Sequence, residues 1–241
     1  MINNLPLGHL KIAPGDLRSF IAFVDNSIRN QQKTYCVPLN LTKYVVSKKD
    51  PKLKKVIRAA GFVIADGIPI CWLSKRLGYK GVRRITGIEL AEALLAHSMS
   101  RGWRIFLLGS SAADVDLAIR YVKEKFGQPL IVGFHHGYFT DGEVNLLLAK
   151  INTLKPDILL LGLGMPQKEY FIDDYFDHLK ASFLLPVGGA FDIWAQTKKR
   201  SNALIQKLGL EWLQRSIYNS SKARNILRYS FDFFKDYLFY R

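Results

Sequence analysis

Asp66 ends a short apolar run, Phe62 to Ala65, and a carboxylate at a strand end is placed to take a proton from an attacking hydroxyl. No second acid stands out beside it, which disfavours the paired-carboxylate chemistry of a glycosidase. The complementary groups are cations. Lys168 follows Pro156 to Gly164, a stretch whose leucines and isoleucine have no polar alternation and which breaks on Gly162 and Gly164. Pro166 suits a first helical position, and Gln167, Lys168 and Glu169 fill a first turn. Such a helix start offers free N–H groups and the positive end of a dipole, and Lys168 adds a formal charge for a phosphate. Arg84 is the second cation near a glycine-bearing turn. Asn40, Gly109 with Ser110, His136 with Gly137, and Gly189 with Asp192 follow the ends of other apolar runs. Any one of them is also explained as a turn or a helix cap, and Asp66 itself reads equally as an N-cap before Gly67 and Pro69. Six such positions at strand ends are harder to explain as punctuation.

The elements that must position these residues alternate along the chain. Helices are predicted over 16–29, from the region after Asp66 to Gly78, over 87–101 and 113–126, up to Leu154, and after Pro166. Strands are predicted at Thr34–Leu39, Phe62–Ala65, Arg104–Leu108, Leu130–Phe134, Ile158–Leu163 and Phe183–Val187. Short apolar strands alternating with helices predict an α/β fold: a Rossmann-like parallel sheet flanked by helices, with right-handed crossovers. In such a sheet ligands bind beyond the carboxyl ends of the strands, the edge where these residues fall. Residues 1–197 are expected to form the catalytic domain and 198–241 a basic, aromatic helical appendage.

Composition narrows the partners. The chain has 241 residues, 49% of them hydrophobic, enough for one large α/β domain. Cys36 and Cys71 lie in apolar surroundings, which predicts reduced, buried thiols. No apolar run reaches the roughly 18 residues of a membrane span and the N-terminus lacks signal-peptide character, so a cytoplasmic protein is expected. The net charge of +15 calls for an acidic partner: nucleic acid, an anionic membrane face or a phosphate-bearing substrate. A nucleic-acid-binding protein would carry a reading helix, an RNP-like strand or a zinc module, and none is found. A nicotinamide-dependent oxidoreductase would carry GxGxxG after its first strand, which ends instead at Leu39, Asn40 and Leu41.

Five ordered motifs carry a resemblance: Ala65-Asp66-Gly67, RITG at 84–87, PDILLLGLGMPQKE at 156–169, VGGAFD at 187–192 and GLEWLQR at 209–215. Together they resemble the WecG/TagA/CpsF glycosyltransferases, family 26, from about Pro38 to Arg228. The resemblance implies an inverting enzyme that moves a sugar from a UDP donor to a polyprenyl-diphosphate-linked saccharide in bacterial cell-surface polysaccharide synthesis, at the cytoplasmic membrane face. It implies Asp66 as base, and Asn40, Arg84, Gln167 and Lys168 in the site. Gly109, Ser110, Gly164, Glu169, Gly189 and Asp192 complete the expected donor and phosphate surface. No metal or other cofactor is expected, since the chain has no D-x-D pair of the kind metal-dependent glycosyltransferases use for a divalent cation. Two departures leave the donor sugar open. Pro38 stands where members often carry a hydroxyl residue, and the usual lysine-glutamine order is reversed at Gln167 and Lys168, which turns each side chain by about 100° on a helix.

In the tail, from Lys198 onward, ten Lys or Arg face three acids, and seven of the last thirteen residues are aromatic. Rings interleaved with cations predict an interfacial helix on the inner membrane face, with Arg215, Arg224 and Arg228 serving acceptor or membrane. The resemblance agrees, since the family carries a C-terminal appendage linked to membrane association. A tail docked on the core or in a homo-oligomer is the competing expectation. His135 and His136, as neighbours in an extended segment, should point to opposite faces and so not share a metal. One of them, with Tyr138, is a candidate for the sugar pocket. Trp72, Trp103 and Trp212 are expected in structural roles, with Trp194 the candidate exception.

Overall fold

The computed structural model describes residues 2–198 and 220–239, with side chains of the last helix from Leu227 onward. Six strands form one sheet in the order β4-β3-β8-β7-β5-β6: β3 (Thr34–Leu39), β4 (Phe62–Ala65), β5 (Ile105–Gly109), β6 (Ile131–His135), β7 (Ile158–Gly162) and β8 (Phe183–Pro186). The pairs β3 with β8, β8 with β7, β7 with β5 and β5 with β6 are all parallel. Every residue of β4 and β8 is buried, as the lack of polar alternation requires of strands covered on both faces. At the sheet edge, β6 is half-buried and Phe134 is 40% exposed. Its start falls one residue later than predicted.

The chain divides into two compact units. The first comprises Asp16–Val37 and Gly87–Lys199. It holds α1 (Leu17–Arg29), α5 (Gly87–Arg101), α6 (Ala112–Phe126), α7 (Asp141–Leu154), α8 (Gln167–Tyr175), α9 (Ala190–Trp194) and the strands β5 to β8. The helix starts follow their sequence signals: Asp16 caps α1 in a capping box with Ser19, and Ser111 caps α6. Gly127 in the left-handed region ends α6. Pro166, expected at the first helical position, takes the N-cap position instead, after a cis peptide from Met165.

The second unit comprises Ile2–Gly15, Pro38–Thr86 and Arg200–Arg241. It opens with a hairpin, β1 (Leu5–Leu7) against β2 (Leu10–Ile12), antiparallel about Gly8. These three-residue strands are too short to carry a periodic signal, though Leu7, Leu10 and Ile12 are buried. After Asn40 come α2 (Leu41–Val46) and α3 (Pro51–Ala59), then α4 (Ile68–Arg76). Asp50 caps α3 and Pro51 opens it, so that Leu53, Val56 and Ile57 face inward.

The C-terminal helix α10 (Ser220–Phe239) packs on this unit through one face. Phe233 is fully buried, edge-on to Tyr44 at 5.6 Å, and Phe234 lies 6.4 Å from Trp72. Asp236 pairs with Lys48, and the Arg76 guanidinium donates to the Leu238 carbonyl at 2.9 Å and sits over Tyr237. The core-docked tail is therefore present on this face. The remaining surface of α10 leaves Leu227, Phe231, Leu238 and Phe239 exposed, with Phe231 at 74%. No helix among the described residues is long and apolar enough to cross a membrane.

Candidate active site

In the second unit, backbone hydrogen bonds set three sequence-predicted residues side by side. The Asp66 N–H donates to the Leu39 carbonyl at 2.8 Å, and the Ile85 N–H donates to the Ala65 carbonyl at 3.0 Å. Ala65 and Arg84 form a parallel bridge. Asn40, Asp66 and Arg84 thus stand at adjacent chain ends in one register. Asp66 is half-buried and is not the cap of α4: Gly67 holds that position, at φ 147°, with no side-chain cap bond. The capping alternative for Asp66 falls, because the chain turns one residue later than a capping aspartate requires.

Asn40 is a cap. Its side-chain oxygen accepts the Lys43 N–H at 3.0 Å, which starts α2. Lys43 was not foreseen. It is only 3% exposed, and its ammonium donates to the Pro38 carbonyl at 2.6 Å. A lysine three residues after a strand-end asparagine carries no sequence signal that separates it from an ordinary solvated helix lysine. Its effect is to tie down the turn that presents Asn40. Arg84 is half-buried and its charge reaches Cys71. Burial pushes the Cys71 thiol up to about 11 and Arg84 pulls against that rise, so the thiol is un-ionised at neutral pH.

The first unit carries the glycine-rich ends. Gly109 adopts φ 146°, and a Cβ there would stand 2.4 Å from the Gly162 carbonyl carbon, so β5 and β7 approach backbone to backbone. Ser110 follows at φ 58°, its hydroxyl donating to the Asp192 carboxylate at 2.5 Å. Lys198 pairs with the other Asp192 oxygen. Ser110 and Asp192 are therefore brought together, with Gly189 at the N-cap position of α9. At the start of α8, Gly164 and Gln167 are exposed, whereas Lys168 is 6% exposed and Glu169 fully buried. The Lys168 ammonium lies 3.5 Å from the Glu169 carboxylate. A Cβ on Gly188, at φ 58°, would come within 3.9 Å of the Lys168 side chain.

Lys168 therefore has a structural duty besides any ligand contact. Removing one member of a buried ion pair typically costs several kcal/mol, because the other charge stays behind. Lys168→Met is expected to lower unfolding stability by about 3 kcal/mol in denaturant titration. An unchanged midpoint would show that the ammonium contributes nothing to the fold.

The histidines correct the sequence reading. Because β6 ends at His135 and the chain turns at once, the two rings lie 4.3 Å apart instead of on opposite faces, and His135 Nδ1 is 2.8 Å from the His136 carbonyl. Tyr138 is 78% exposed. Among the described residues no group of three His, Cys, Asp or Glu is arranged to hold a metal. Asp114 and Asp116 have D-x-D spacing but sit on α6, Asp114 in its first turn and Asp116 beyond it, turned about 200° from each other. Asp114 is held by the Ser111 hydroxyl at 2.8 Å. Trp194 is core, stacked on Phe191 and donating to Glu92 at 3.1 Å, which settles it as structural. Trp103 is buried and Trp72 is 41% exposed. Trp212 and Arg215 lie outside the described residues, as does the Arg224 side chain; Arg228 is exposed on α10.

The chain is similar to known enzymes along most of its length. It is 27% identical over 223 residues to an N-acetylglucosaminyldiphosphoundecaprenol N-acetyl-beta-D-mannosaminyltransferase of Bacillus spizizenii, covering 92% of this chain and 86% of that protein. It is 29% identical over 163 residues to a protein of the same name from Staphylococcus aureus, covering 68% of this chain and 63% of that protein. The sequence model of the glycosyl transferase WecG/TagA/CpsF family matches residues 5–240. With the motif-bearing strand ends arranged as described, the chain belongs to the WecG/TagA/CpsF family and is a glycosyltransferase.

Proposed function

We propose that this enzyme transfers an N-acetylmannosaminyl group from a UDP donor to N-acetylglucosaminyl-diphosphoundecaprenol, inverting the anomeric centre, in the synthesis of a cell-surface polymer. The observation that carries the chemistry is the register of Asn40, Asp66 and Arg84 at adjacent chain ends. The activity for which the two relatives are named supports the sugar and the acceptor. Asp66 takes the proton from the acceptor hydroxyl as its oxygen bonds to the anomeric carbon. The bond from that carbon to the UDP oxygen breaks, and the leaving electron pair stays on the diphosphate. Arg84 is assigned to the diphosphate oxygens, where a guanidinium makes charge-assisted hydrogen bonds. Asn40 orients a reacting group through the part of its amide not used in capping α2.

In the first unit, the turns after β7 and β8 supply backbone N–H groups for the donor, with Gly164, Gln167 and Gly189 at their openings. The carboxylate of Asp192, beside Ser110, suits donor hydroxyls better than phosphate, since like charge repels. Glu169 holds Lys168 in place. The exposed rings and leucines of α10, with Arg215, Arg224 and Arg228, are assigned to the membrane surface that carries the acceptor, which makes the enzyme a peripheral protein of the cytoplasmic face.

The donor assignment is tested by turnover of a panel of UDP-N-acetylhexosamines and UDP-hexoses against a short-chain polyprenyl-diphosphate N-acetylglucosamine. The N-acetylmannosamine donor is expected to exceed its epimers by at least about tenfold in kcat/KM, the discrimination that one misplaced polar substituent gives in a fitted site. Equal turnover of the glucosamine epimer would place Pro38 and the reversed Gln167 and Lys168 pair in a site of different specificity.

A further inference from the structure

A third of the net charge lies in one short run outside the tail. From Lys48 to Arg58 there are six cations, Lys48, Lys49, Lys52, Lys54, Lys55 and Arg58, against the single acid Asp50. That acid is committed to capping α3, where it accepts the Leu53 N–H at 2.8 Å. The inward face of α3 is fully used by Leu53, Val56 and Ile57, so the cations are left to the other faces. Lys54, Lys55 and Arg58 lie with Pro51 and Ala59 along one open outer face of α3. Lys55, Arg58, Pro51 and Ala59 are exposed there. The positive field is felt nearby: burial first, then Lys48 and Lys54, push the His9 imidazole down to about 4, so it stays neutral at pH 7.

Two partners fit a basic face, a nucleic acid or an anionic bilayer, and the same unit discriminates between them. Lys48, the first cation of the run, pairs with Asp236 of α10, the helix that exposes Leu227, Phe231, Leu238 and Phe239. Large apolar side chains linked to a cationic face match a bilayer interface, where rings and leucines enter the headgroup boundary and cations meet lipid phosphates. A nucleic-acid backbone offers no partner for those leucines. We propose that the Lys54, Lys55 and Arg58 face of α3 is a docking surface for anionic phospholipid headgroups, acting beside the apolar face of α10. The proposal rests on the lipid-linked acceptor only in placing the enzyme at a bilayer; the surface itself is read from α3.

The test uses the full chain and vesicles of phosphatidylcholine with or without phosphatidylglycerol. Each cation near a negative surface adds about fivefold to binding, so K54Q/K55Q/R58Q is expected to lose on the order of a hundredfold in affinity for the anionic vesicles. Binding to neutral vesicles and turnover of a short-chain soluble acceptor should stay at the wild-type level. A second measurement needs no variant: in the wild-type protein, anionic vesicles should protect Lys54 and Lys55 from an amine-reactive label. Full vesicle affinity in the triple variant would overturn the proposal, as would equal labelling with and without vesicles. So would a loss confined to duplex nucleic acid. Failure of the wild-type enzyme to turn over any acceptor would sink the activity reading alone, since vesicle binding and labelling are read without catalysis.

Discussion

Asp66→Asn is expected to reduce sugar transfer by roughly 10² to 10⁴ while leaving UDP affinity nearly unchanged. That range corresponds to about 3 to 5 kcal/mol of lost transition-state stabilisation. The substitution is close to isosteric, and the Asp66 backbone keeps its bond to the Leu39 carbonyl whichever side chain it carries. Since Gly67 and not Asp66 occupies the cap position of α4, exchanging the carboxylate for an amide removes no helix cap. The loss should therefore appear in kcat, with thermal unfolding little altered. Steady-state turnover combined with calorimetric titration of UDP separates these quantities. A folded variant that turns over near the wild-type rate would remove Asp66 from the role of base.

The second large effect is structural. Gly109→Ala places a Cβ within 2.4 to 2.6 Å of three backbone atoms of Gly162, at a φ of 146° that side chains rarely adopt. No flexible side chain can yield there, so two paired strands must separate, at an expected cost of about 4 kcal/mol or more. Gly102→Ala is the control. Its φ is +69° but nothing lies within 4 Å, so only the local backbone cost of about 1 to 2 kcal/mol applies. Thermal denaturation of the two variants should rank them in that order by a wide margin. Equal melting points would show that the β5 to β7 approach is looser than the geometry states.

The sheet was legible because its strands are apolar without alternation: Thr34–Leu39 and Phe62–Ala65 fall where the sequence predicts them. Residues whose role depends on packing rather than pattern were not legible. Lys43 reads as a surface lysine and is buried on the Pro38 carbonyl. Lys168 reads as a helix-start cation, and its enclosure beside Glu169 carries no pattern signal. The hairpin Leu5–Ile12 is too short for a period, and the two histidines were misjudged because the strand stops between them. The tail was read as aromatic and basic, but which rings face inward is decided by Tyr44 and Trp72, far away in sequence. Asn40, Asp66 and Arg84 could be named one by one from their strand-end positions. Their common register required the folded chain.

Inverting transfer between a UDP-sugar and a lipid diphosphate saccharide is tested most directly by the stereochemistry of the product. The enzyme would be incubated with α-linked UDP-N-acetylmannosamine and a short-chain polyprenyl-diphosphate N-acetylglucosamine, and the anomeric configuration of the purified disaccharide read by NMR. Direct attack by a hydroxyl whose proton goes to Asp66 predicts a β-linked product with release of UDP. An α-linked product would contradict single-displacement chemistry, and UDP release without any disaccharide would contradict the acceptor.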